Sequence, residues 1–434
     1  MRKQIWIVLL AFAIVVTSVH AAAFAATGTS DSSTSTSSSA ITTQSAVTSG
    51  SAIATGTAIS ADSAITTTDS AITTVPAINT SLSAIADTGT MISISLDDAY
   101  KKLLAESPNV KLAQLTLDNE IAAAKGYSEK LSALHQAEKD TSGWGVDTSS
   151  KPMLQANKAY GLVQAPKNYE ATINSIKAKA YEMYYTYKYT EAQVQVAKDN
   201  LDRSQAVYNS TMLKYKLGTV SKLDTLNAET TLNTAKDQYN LAVNGLEQVK
   251  LNFNLFMGYN IHQKLTLTDS LSDIALPSKT LDTSIQEALT NRNEISEANY
   301  NVQMTQLALN NVKDYPSSSA TYQNAKVALM MAQEAQKTEP SKIEIDVRTK
   351  YMDMVQKHEA VKSGKVSYDN SKETVRLGQL QYDSGVITIT DLSGIMLNAF
   401  QTQQEYYKAM LDYNLAVDQY NLASGVGTAT ATIK

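Results

Sequence analysis

Between Leu392 and Ala423 the chain sets Leu392, Ile395, Ala399, Thr402, Tyr406, Ala409, Tyr413, Ala416, Tyr420 and Ala423 in alternating steps of three and four. The mean step of about 3.5 residues is the period of a helix that keeps one face on a neighbouring helix over many turns. The same alternation runs through Leu232, Ala235, Tyr239, Ala242, Leu246, Val249, Phe253 and Phe256. It appears twice more, at Val194, Ala197, Leu201, Ser204, Tyr208, Thr211 and Tyr215, and at Val361, Gly364, Tyr368, Ser371, Val375, Gly378 and Tyr382. Four long helices of one design are predicted, and with them an all-α, coiled-coil fold. With 17 glycines and 7 prolines in 434 residues, few places are left for turns.

The seam residues alternate small side chains with tyrosine, where a tight dimer would carry Ile and Leu. Small residues let neighbouring backbones approach, and a ring spaces them at the next layer. Such a seam suits a wide, partly wetted helical wall, or a buried core whose tyrosine hydroxyls find backbone partners.

The segment "KYKLGTVSKLDTLNAE" from Lys214 separates two of these seams, and "LQYDSGVITITDLSG" from Leu380 separates the other two. Gly218 and Gly385 can take the left-handed conformation that stops a helix. Ser221-x-x-Asp224 and Thr388-x-x-Asp391 have the spacing of capping boxes that start the next one, with Val220 and Ile387 placed to staple onto it. Each segment is therefore predicted to be the tip of a helical hairpin. The two tips correspond at a constant offset of 167 residues, which also pairs Tyr239 with Tyr406 and Gly258 with Gly425. Upstream, "SLDDAYKKLLAESPNVKLA" from Ser95 matches "TLDTSIQEALTNRNEISEA" from Thr280 at an offset of 185, so the second copy is 18 residues shorter in its middle. Two tandem repeats are predicted, at 91–262 and 280–425, joined by a linker at 263–279 and followed by a tail at 426–434.

What precedes the repeats is different in kind. Arg2 and Lys3, the apolar run Ile5 to Val16 and the small residues Ala23 and Ala25 make a secretory signal peptide over 1–25. The run is shorter than the roughly 20 residues a bilayer span needs. Residues 26–90 are Ser, Thr, Ala and Ile with hardly a charge, carrying "SAI" or a near copy every six or seven residues. Without large apolar side chains, such a low-complexity tract is expected to be a disordered spacer.

Basic and acidic residues number 37 and 42 and are interspersed, which leaves no basic field for nucleic acid. With no cysteine there are no disulfides, thiolate nucleophiles or cysteine metal sites. The four histidines, at 20, 135, 262 and 358, stand alone, with no second ligand at metal spacing. His358-Glu359 reads as a solvated helix pair, Asp97-Asp98 as dipole-favoured acids of a first helical turn, and Met330-Met331 as packing. No catalytic residue, cofactor or metal site is expected.

In order, duplication and seams, residues 94–425 resemble the TolC-like outer-membrane efflux proteins, whose two repeats each open on a segment like "ISLDDAYKKLLAESPNV" and contain a turn like "YKLGTVSKLDTLNAETTL" or "YDSGVITITDLSGIMLNAF". The resemblance implies a homotrimer whose long helices form a hollow α-barrel in the cell envelope. It also implies that the tips at Gly218, Val220, Ser221, Asp224, Gly385, Ile387, Thr388 and Asp391 meet a membrane-fusion adaptor that links to an inner-membrane pump. In the family, each connector between ascending and descending helices carries two membrane strands. Here the first connector reads as helix, glycine-rich turn with Trp144, and helix, and the second as one short helix between Pro316 and Pro340. The runner-up function is therefore a structural or surface coiled-coil protein, in or on the wall of a cell without an outer membrane.

Overall fold

A computed structural model of the chain describes residues 90–433 except 273; the expected signal peptide and low-complexity spacer, through residue 89, lie outside the described residues. The described chain is helical apart from two short strands. In order they are β1 (Ile92–Ile94), α1 (Leu96–Glu106), α2 (Pro108–Asp140), α3 (Lys151–Lys216), α4 (Lys222–Met257), β2 (Leu265–Leu267), α5 (Leu281–Asn291), α6 (Asn293–Asn311), α7 (Ala320–Asp383) and α8 (Ile389–Ala423).

Local chemistry sets most of the boundaries. Ser95 starts α1 by accepting the Asp98 amide proton, so the Asp97-Asp98 pair does sit in a first helical turn. Ser107 ends α1 and caps α2, where Pro108 fills a position with no backbone partner to lose. Thr280 repeats the first of these devices at α5, and Ser319 caps α7 through the Tyr322 amide. Gly258 closes α4 in the left-handed region.

The four long helices lie side by side in the order α4, α3, α8, α7, with α2 laid along α3 and α6 along both α7 and α3. Every seam residue predicted for α4 and α8 is buried or half-buried. In α7 the predicted seam from Val361 to Tyr382 is nearly all that is covered on that stretch. Its glycines have a visible purpose: a Cβ on Gly378 would lie 2.9 Å from Ile395 Cδ1, and one on Gly364 would lie 3.4 Å from the Tyr406 ring. α8 buries a second face that the seam did not reveal, including Met396, Phe400, Gln403 and Val417, because it is flanked by both α7 and α3.

β1 and β2 pair in parallel, Ile92 opposite Leu265 and Ile94 opposite Leu267. Their buried side chains pack with Tyr184, Tyr187 and Phe253 into one core at the end of the hairpin remote from the tip. The tyrosine hydroxyls are spent on backbone: Tyr184 donates to Ile94 O at 3.1 Å and Tyr187 to Leu265 O at 3.2 Å. A matching core gathers α5, α7 and α8, where Tyr413 donates to Ile274 O at 2.8 Å and Tyr420 bonds Ser284 at 2.8 Å.

The segment at 426–433 is docked between the halves. Asn168 donates to Ala431 O and accepts from Ala431 N, both at 2.9 Å, while Asn293 donates to Ala429 O at 2.8 Å. Gln164 ties Asn168 to Asn293, and all three are buried.

Several expectations need correction. The second connector is no short helix, because α7 runs unbroken through Pro340 from Ala320. A proline inside a helix costs about 3 kcal/mol, which burial of Ile343 and Val347 just beyond it offsets. α3 passes through Pro166 in the same way, between the bonded and buried Gln164 and Asn168. His358 is not solvated; its ring lies in the α7–α8 seam, 4.8 Å from that of Tyr413. Met330 and Met331 are not packed within this chain but exposed, as is Trp144 in the turn between α2 and α3.

Candidate functional site: the hairpin tips

Each tip is a closed piece of hydrogen-bond geometry. At the end of α3 the Gly218 and Thr219 amides donate back to Tyr215 O at 2.9 Å and Lys214 O at 3.0 Å, with Gly218 at φ +72°. At the end of α7 the Gly385 and Val386 amides donate to Tyr382 O at 3.1 Å and Gln381 O at 2.8 Å, with Gly385 at φ +75°. A residue without a Cβ is needed at each position for its backbone conformation, since the surrounding space is open.

The next helix starts at once. Ser221 accepts the Asp224 amide at 3.2 Å, and Asp224 Oδ2 accepts the Ser221 amide at 2.8 Å. Thr388 and Asp391 repeat both bonds at 3.1 and 3.0 Å. The hydrogen bonds from Thr388 hold the Asp391 carboxyl below its ordinary range. Val220 and Ile387 are half-buried before their caps, Ile387 against the core of Val375, Tyr382, Ile389 and Leu392.

The structure also joins the two tips. Thr211 Oγ1 and the Tyr382 hydroxyl lie 2.6 Å apart, the Lys214 ammonium donates to Tyr382 O at 2.8 Å, and the same ammonium stands 3.7 Å from Asp383. Sequence reasoning did not reveal this link, because the partners are about 170 residues apart. It also missed the apolar side chains set around the turns: Leu217, Leu223 and Val386 are each about two-thirds exposed or more. An exposed leucine beside a glycine turn was the available signal.

Among the described residues no three His, Asp or Glu side chains gather to hold a metal ion. No helix among them is long and apolar enough to cross a membrane.

No family model matches the sequence, and no curated protein resembles it at significant similarity. Solved structures do. A membrane protein from Pseudomonas aeruginosa superposes with a TM-score of 0.61 at 12% identity, over 79% of this chain and 92% of its own. The outer membrane protein VceC of Vibrio cholerae gives 0.60 at 10% identity, over 77% and 97%. The CmeC outer membrane channel of Campylobacter jejuni gives 0.56 at 14% identity, over 77% and 86%. The fold is TolC-like. At these identities the likeness is one of architecture, and it is the helical part of the TolC-like channels that this chain matches. Where the resemblance implies membrane strands in the connectors, this TolC-like chain has a ten-residue turn between α2 and α3 and a short one between α6 and α7.

Proposed function

We propose that the chain is a component of a cell-envelope export system: copies associate as a homotrimer into a helical conduit, and the tips dock an adaptor that couples it to an inner-membrane pump. The observation that carries this reading is the state of the wall's edges. α4 and α7 flank the four-helix row, and each leaves a stripe of apolar side chains exposed on its free side. On α4 these are Leu226, Leu241 and Leu255; on α7 they are Ile345, Met352 and Val366. At 100° per residue each set falls within about a quarter turn. Exposed apolar side chains aligned along the edges of the row fit surfaces that another chain covers, and one copy's α4 meeting the next copy's α7 would close a ring. The TolC-like fold supports three copies. Leu217, Leu223 and Val386 supply apolar contacts with which the tips would hold an adaptor.

Light scattering on the purified chain tests the association. A particle of three chain masses is expected, reduced to one by a charge at Leu241 or Val366. A monomer at all concentrations would sink the conduit and leave the second reading, a structural coiled-coil protein of the envelope. The observation favouring that alternative is that both connectors are helix and turn rather than strand.

A further inference from the structure

A groove of about 680 Å³ runs between α3 and α7, with Gln403 of α8 among its lining residues. Its chemistry is one-sided. The Nε and Nη2 atoms of Arg203 are buried and have no hydrogen-bond partner, and neither has the buried Nε2 of Gln403. All three are donors. Buried donors without acceptors are uncommon in folded proteins because each forfeits its hydration. Lys372 adds positive charge to the lining, while the Arg376 guanidinium there is held bidentately by Glu373 at 2.7 and 2.8 Å. The one acid there, Asp383, lies 3.7 Å from the Lys214 ammonium, which offsets it. Burial lowers the affinity of the Arg203 guanidinium for its proton, and Asp199, Asp202 and Tyr368 oppose that.

Ala206, Val375 and Leu380 supply apolar surface in the same groove. Its volume falls in the range of about 300–1,000 Å³ common for small-molecule sites. A planar oxyanion fits the donor set, because the guanidinium fork and a carboxylate match in geometry. We propose that this groove binds an amphipathic organic anion, its carboxylate on Arg203 and Gln403 and its apolar body along Val375 and Leu380. The lining residues all come from one chain.

Calorimetric titration of the full chain with decanoate tests the assignment, with methyl decanoate and acetate as companion probes. Saturable binding of one decanoate per chain is expected, with acetate competing weakly and the ester failing to bind. Arg203→Gln should weaken decanoate about 10- to 100-fold, the span of a charge-assisted hydrogen bond. Gln403→Leu should weaken it several-fold and serves as a second variant should the first lose its helicity. Absence of saturable binding, equal affinity for acid and ester, or affinity unchanged in both variants would overturn the proposal.

Discussion

Tyr382 donates its hydroxyl proton to Thr211, because Thr211 has already given its own to Val207 O at 2.9 Å. The bond spans α3 and α7 just above both turns, and Lys214 doubles it through the Tyr382 carbonyl. Tyr382→Phe should therefore cost about 1 kcal/mol and act locally. Hydrogen exchange is expected to quicken over 211–224 and 380–391 and to stay unchanged around Tyr184. Uniform change across the chain would mean that the tips are not a separate unit.

The turn glycines are held by backbone conformation alone. Gly218→Val and Gly385→Val should each cost about 1–3 kcal/mol, since a β-branched residue resists positive φ. Gly394, helical and with open space around its Cβ, is the control, and its replacement by Ala should be neutral or slightly stabilising. Urea denaturation compares the three, and equal midpoints would refute the turn assignment.

Ser221→Ala and Thr388→Ala each delete one arm of a capping box. A loss of about 1 kcal/mol is expected from each, with the pair adding, because each box is closed within its own turn. Double-mutant denaturation checks the sum; strong coupling would show that the turns unfold together.

Asn168 has a different role, joining the segment at 426–433 to α3. Asn168→Leu leaves the Ala431 amide and carbonyl without their partner in a buried site, a cost of about 1–3 kcal/mol. Limited proteolysis should then remove residues beyond Ser424 before any helix is cut. Retention of that segment would show that Asn293 and Asn174 hold it unaided.

Burial pushes the Asp418 carboxyl up to about 6 from an ordinary 3.8. The folded chain then keeps a proton that the unfolded chain releases between about pH 4 and 6. Its contribution to stability is thus lost as pH rises through that window, by up to about 3 kcal/mol. Asp418→Asn should flatten the slope and stabilise the chain at neutral pH. Denaturation midpoints at about pH 4.5 and 7 decide it: an unchanged slope assigns the pH dependence elsewhere.

The long helices and their turns were legible because period and capping are local. Leu392 to Ala423 states its own seam, and Ser221-x-x-Asp224 its own start. What escaped depends on partners far along the chain. Three-residue strands carry no periodicity, so β1 and β2 are defined by each other across about 170 residues. Pro340 suggested a helix end, yet packing of Ile343 and Val347 overrode it. His358 looked solvated beside Glu359 until Tyr413 of α8 covered it. The groove at Arg203 was invisible for the same reason: its charges come from two helices that meet only once α8 lies between them.

The pairing of β1 with β2 has a consequence for the order of assembly. It fastens the start of the first hairpin to the segment just after it, so everything from Ile92 to Leu267 forms one closed loop. Closing a loop of that length adds little entropy beyond that of a shorter one, and both strands are synthesised before α5. During synthesis the first half can therefore latch shut while the second is still being made. The second half would then fold against a finished surface, with α8 laid last between α3 and α7.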